Sequence, residues 1–137
     1  MSAGVYNVNS LTFSGGSILT VTSGPVVFNI MGTGASRAMD MSGGTISNLS
    51  GVPANLQFNY AGSLPIVISS GGTLAFEVIN APNSPLTISG GGDIYGSIVA
   101  YTVTSSGGSA VHYDRALGTG AGSVSPYRQV AFSWSRY

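Results

Sequence analysis

Short runs that alternate apolar and polar residues recur along the chain, and each is broken at a serine followed by glycines. The copies read Leu11-Thr12-Phe13-Ser14-Gly15-Gly16, Met39-Asp40-Met41-Ser42-Gly43-Gly44, Ile66-Val67-Ile68-Ser69-Ser70-Gly71-Gly72, Leu86-Thr87-Ile88-Ser89-Gly90-Gly91 and Tyr101-Thr102-Val103-Thr104-Ser105-Ser106-Gly107-Gly108. The motif serine sits at 14, 42, 70, 89 and 106, so the steps are 28, 28, 19 and 17 residues. Alternation with a period of two predicts strands with one buried face. The glycines permit the corners between them. No ten-residue stretch keeps a 3.6-residue period free of Gly or Pro, so no helix is predicted.

Two all-β architectures compete. A sandwich needs evenly spaced strands joined by hairpins. A β-solenoid (β-helix) stacks coils of short strands, and a corner glycine then recurs once per coil at one phase. The Ser-Gly-Gly phase favours a single-stranded β-solenoid. Steps of 19 and 17 fit one coil each, and the steps of 28 read as a coil with an insertion, at residues 31–36 and 51–55. A coil length of about 18 residues predicts about six or seven short coils. Residues 1–117 are read as solenoid, 118–126 as a Gly/Ser linker and 127–137 as a returning C-terminal strand that buries Phe132 and Trp134. Together these make one domain.

Composition narrows the function. Glycine (21), serine (22) and threonine (10) fill 53 of 137 positions. With hydrophobic residues at 43% and charged ones at 6%, the chain lacks the high charge and low hydrophobicity of disorder. Four basic and four acidic residues give zero net charge, which argues against nucleic-acid binding. The absence of lysine excludes Schiff-base and P-loop lysine chemistry as well as a Lys–Asn isopeptide bond. Without cysteine there is no disulfide framework or thiolate metal site. No run of about 18 apolar residues predicts a membrane-spanning helix. The first residues have neither the basic nor the apolar region of a signal peptide. The Lys-free, Ser/Thr/Gly/Asn-rich surface favours an extracellular or envelope setting.

The second half carries a family resemblance. Asn80-Ala81-Pro82-Asn83, Leu86 to Ala100 with its Gly90-Gly91-Gly92-Asp93-Ile94-Tyr95-Gly96 centre, Ser106-Gly107-Gly108 and Val111-His112-Tyr113-Asp114-Arg115-Ala116-Leu117 form one part of it. With Pro53 to Phe58 and Tyr127 to Trp134, they resemble a domain of unknown function found C-terminally in bacterial PilX-like and Tad-like pilus-assembly and surface proteins. The resemblance covers residues 50–137, and residues 5–49 only as generic repeat. It implies a right-handed β-helical module of the envelope or cell surface. It also implies an upstream membrane segment, so that this chain is a fragment of a membrane-anchored protein, and no known catalysis. Bactofilins, self-assembling β-helical scaffolds, share the short coils and apolar alternation but usually carry more charge.

The densest polar cluster is His112-Tyr113-Asp114-Arg115. His112 and Asp114 share strand parity, so both are expected on one face. Asp93 and Asp114 lie 21 residues apart, about one coil, and are expected to stack. Asp93, Tyr95, His112, Tyr113 and Asp114 therefore form the candidate polar or ligand cluster. Its functional readings are a divalent cation, acid–base work or sugar stacking on Tyr95 and Tyr113. Its structural reading is an Asp–Arg pair with His112 bonded to a neighbouring main chain, and that reading is preferred. No catalytic residue, metal or cofactor is assigned. Gly90-Gly91-Gly92 opens no helix and is read as a corner, not a phosphate cradle. The expected function is a non-enzymatic structural or adhesive module of a pilus-associated or cell-surface protein. The expected partners are envelope or pilus proteins, further copies of the chain, or a surface glycan. The alternatives are a self-assembling bactofilin-like scaffold and a glycan-binding or glycan-cleaving domain.

Overall fold

The computed structural model describes residues 1–69 and 75–119. In chain order the strands are β1 Gly4–Val8, β2 Leu11–Thr12, β3 Ser17–Val21, β4 Val26–Ile30, β5 Met39–Met41, β6 Gly44–Asn48, β7 Leu56–Tyr60, β8 Ile66–Ser69, β9 Ala75–Ser89, β10 Ile94–Ser105 and β11 Val111–Tyr113. Two short 3-10 segments, Pro53–Asn55 and Arg115–Thr119, complete the described elements. The fold is all-β, as the alternation predicts, and every strand pairing is parallel. A hairpin-built sandwich would be antiparallel.

The pairings fall into three ladders. The first runs β1–β4–β7, then the middle of β9 and of β10. Gly4 aligns with Val26, Val26 with Leu56, Gln57 with Val78 and Val78 with Ser97, so the steps are 22, 30, 21 and 19 residues. The second runs β2–β5–β8 and the far parts of β9 and β10. Leu11 aligns with Met39, Met39 with Ile66, Ile66 with Leu86 and Leu86 with Val103, in steps of 28, 27, 20 and 17. The third joins β3 to β6, and the starts of β9 and β10 to β11, with Ser17 on Gly44, Ala75 on Ile94 and Ile94 on Val111. β9 and β10 bend through more than one ladder, so one nine-stranded sheet nearly closes on itself.

The second-ladder steps nearly reproduce the serine spacing of the motif, because Ser-Gly-Gly forms the corner between the second and third ladders. Gly15 and Gly16 sit there at φ of 62° and 79°, a region closed to most residues. The two predicted insertions are loops. One lies between β4 and β5, and the other between β6 and β7, where it contains Pro53–Asn55. The ladders hold five rungs among the described residues, against the six or seven coils expected. The insertions raise the mean step above the 18 residues assumed, so fewer rungs fit.

Inward positions make one apolar core. Val26, Phe28 and Ile30 of β4 and Leu56, Phe58 and Tyr60 of β7 are buried, with intervening residues turned outward. Tyr6, Phe28 and Phe58 stack in the first three rungs, with ring centroids 5.5 and 5.4 Å apart. Buried Asn48 ties the second insertion to β9. It donates to the Val52 and Phe76 carbonyls and accepts from the Ser50 hydroxyl and N–H, so its desolvation is fully compensated. The third motif copy runs from Ile66 into residues 70–74, which lie outside the described residues. So do residues 120–137, and with them nearly all of the expected linker and the returning strand. Gly118 and Thr119 belong to the 3-10 segment Arg115–Thr119.

Candidate functional site

Register explains which residues of the expected cluster meet. Tyr95 aligns with Phe76 on one side and His112 on the other, all three at outward parity. Their rings stack in a column, with centroids 5.4 Å apart for Phe76–Tyr95 and 4.5 Å for Tyr95–His112. Asp93 Oδ2 lies 3.2 Å from His112 Nε2, which fixes the imidazole at the end of the column. Asp93, Tyr95 and His112 thus form a real cluster. Both faces of the Tyr95 ring are covered by its neighbours, so the ring turns an edge, and no face, to solvent. Sugar stacking needs a free aromatic face.

Tyr113 and Asp114 do not join them. Tyr113 aligns with Gly96 and has inward parity, and it is exposed because the third ladder has no later rung among the described residues. A Cβ on Gly118 would lie 3.3 Å from its hydroxyl, which places the Tyr113 ring near the 3-10 segment. Asp114 follows the end of β11. Its Oδ1 accepts from the Ala116 N–H at 2.9 Å, while its own N–H donates to the Gly96 carbonyl. It therefore caps the start of the 3-10 segment, as Asp does where backbone donors are unpaired. Extending the β10–β11 register places Asp93 opposite Ala110 and Asp114 opposite Ser97, four positions apart, so the two carboxylates do not stack as expected. The alternation rule failed here because the strand ends at Tyr113.

The other two acids have separate roles. Asp40 takes a hydrogen bond from Ser42 and pairs with Arg37, and these contacts, Ser42 foremost, hold its carboxyl below the usual range. Glu77 is wholly buried with no hydrogen-bond partner for either carboxylate oxygen, and desolvation pushes its pKa up to about 7. Its in-register neighbour is Gly96, which a Cβ would bring 1.8 Å from the Glu77 carbonyl oxygen. Among the described residues no group of three His, Cys, Asp or Glu could hold a metal ion.

The structure also shows a polar feature that the sequence reading missed. Asn7, Asn29, Asn59 and Asn80 occupy consecutive rungs of the first ladder in register. Asn29 Nδ2 donates to Asn7 Oδ1 at 3.1 Å, and Asn59 Nδ2 to Asn29 Oδ1 at 3.2 Å. Beside this row lies a cavity of about 330 Å³ lined by Asn29, Ile30, Asn59, Tyr60, Ala61, Asn80 and Pro82. A legible signal existed: each asparagine follows a large apolar or aromatic residue, in Tyr6-Asn7, Phe28-Asn29, Phe58-Asn59 and Ile79-Asn80. Unequal steps of 22, 30 and 21 residues hid the repeat.

An all-β chain whose strands pair only in parallel, with rows of like residues on its outside, belongs to the class of stacked-strand proteins. More particularly, the chain belongs to the family DUF7305, a domain of unknown function, whose model matches residues 5–119. The match includes residues 5–49, which the resemblance covered only as generic repeat. No curated protein and no solved structure matches the chain.

Proposed function

We propose that the chain is a right-handed, single-stranded β-solenoid serving as a non-enzymatic structural or adhesive module of a bacterial pilus-associated or cell-surface protein. Support for the winding comes from the registers. Each segment pairs in parallel with the segments one revolution before and after it, around a shared apolar interior. Parallel crossovers are overwhelmingly right-handed. One observation carries the adhesive part: the four-rung asparagine row, an uncharged and regularly spaced polar strip on an outer face. Such a strip contributes nothing to the core, and it suits a surface that displays hydrogen-bonding groups to a partner.

The test uses the full-length protein in its bacterium, epitope-tagged within the 31–36 loop. The proposal expects antibody to label intact cells, and deletion of residues 5–119 to abolish adherence or pilus assembly. Labelling only after lysis would contradict it.

A second reading, a self-assembling bactofilin-like scaffold, draws on the last rungs. Val99, Tyr101, Val103, Val111 and Tyr113 are exposed there. Sheet ends that leave strand edges unpaired are templates for further pairing. Filaments in negative-stain micrographs of the purified chain would favour this reading, and a strict monomer at high concentration would remove it.

A further inference from the structure

We infer that the cavity beside the asparagine row is a binding site for a neutral saccharide, held through Asn59 and Asn80. The inference deepens the adhesive reading by naming its ligand class, and for its biological setting it rests on that reading. The amide chain runs from Asn59 to Asn29 to Asn7 and stops there. Asn80 is in register with Asn59, yet among the described residues its side chain makes no hydrogen bond, and neither does Asn59 Oδ1. The row therefore ends in an unused acceptor beside an unused amide, and both line the cavity. Polar groups in a concave site without protein partners are available to a ligand at no cost in broken bonds.

The lining decides the ligand class. It contains no charged side chain, which disfavours phosphates, carboxylates and polyamines. An amide both donates and accepts, and so does each sugar hydroxyl. Neighbouring rungs lie about 4.8 Å apart, so amides on adjacent rungs can engage hydroxyls on one pyranose ring. Pro82, Ala61 and Ile30 supply an apolar wall for its C–H face. The volume of about 330 Å³ is at the small end for ligand sites and suits one or two sugar units. A peptide strand is disfavoured, because the first-ladder backbone here is already paired to its neighbours on both sides.

The experiment titrates the ¹⁵N-labelled chain with methyl glycosides of glucose, galactose, mannose and N-acetylglucosamine, and with lactose, following the Asn side-chain NH₂ signals. Sialyllactose serves as the charged comparison. At least one neutral sugar is expected to shift the Asn59 and Asn80 signals at or below about 10 mM. Asn80→Ala and Asn59→Ala should each weaken that binding by about tenfold. Asn7→Ala, at the far end of the row, and Tyr95→Ala, on another face, should leave it within about twofold. Spectra of the variants report whether each still folds, and Pro82→Ala gives a second probe of the same wall. Saturation by none of the neutral sugars overturns the inference but leaves the surface-labelling test standing. Binding that survives Asn80→Ala and disappears in Tyr95→Ala would move the site to the aromatic column, which also overturns it.

Discussion

The first three rungs and the last two are built to different tolerances. Early steps reach 30 residues and carry loops, and the interior is filled by the Tyr6–Phe28–Phe58 stack. Late steps fall to 17–20 residues, β9 and β10 turn corners without breaking, and the aromatic column moves outside as Phe76–Tyr95–His112. In the early rungs a coil absorbs extra chain as a loop, and the register resumes after it, because each rung has only to match its neighbours. The late rungs have no such slack. At Gly96 the backbone of one coil lies against that of the previous one so closely that no side chain fits.

The largest test of this contrast is Gly96→Ala. Its φ of 151° and the 1.8 Å approach of a Cβ to the Glu77 carbonyl oxygen leave no relaxed arrangement. We expect a loss of more than about 4 kcal/mol in urea unfolding, or no folded protein. In the early half, Phe58→Ala removes a ring that is 1% exposed and stacked on Phe28. A cost of about 4 kcal/mol is expected by the same measurement, and a cost below about 1 kcal/mol would mean the early core is not packed as described.

Glu77 gives a pH signature of the tight region. Neither Gly96, which pairs with it, nor Pro53 beside them carries a charge to compensate it. Its carboxyl has an ordinary pKa of 4.5, and burial raises it to about 7 in the folded chain. Between those values the unfolded chain has lost the proton while the folded chain keeps it. The folded state then binds more protons, and stability falls as pH rises. The penalty is absent below about pH 4.5, grows to about 3 kcal/mol near pH 7 and stays constant above. Thermal melts from pH 4 to 8 should show this decline, and Glu77→Gln should flatten it. A melting temperature in the parent that rises across this window would contradict the assignment.

The smallest effect belongs to the outer column. Tyr95→Ala loses two partly exposed ring contacts and should cost about 1 kcal/mol, well under Phe58→Ala. Equal costs would mean that the two aromatic columns are not inside and outside as described.

Much of this fold is written in the sequence, because corners and alternation are local. The serine steps of 28, 28, 19 and 17 track the second-ladder steps of 28, 27, 20 and 17. Both loop insertions were legible as interruptions of that spacing. The rung count was not, since it depends on how much chain the insertions consume. At the site, Asp93, Tyr95 and His112 meet because they lie within regular strands. Tyr113 and Asp114 depart from expectation because β11 ends between them, and strand ends follow hydrogen bonds rather than periodicity. The asparagine row depends on long-range register, which unequal steps conceal.

The register itself is the central claim, and the cysteine-free sequence permits a direct test. Ser69 and Ser89 are in register with hydroxyl oxygens 3.2 Å apart, although 20 residues separate them in the chain. Replacing both by cysteine places the two sulfurs within bonding reach across neighbouring parallel strands. Mild oxidation of the Ser69→Cys/Ser89→Cys variant should form an intrachain disulfide in the folded monomer, seen by mass spectrometry, and Ser69→Cys/Ser97→Cys should not. A link in the second variant but not in the first would contradict the parallel stacking on which the whole account rests.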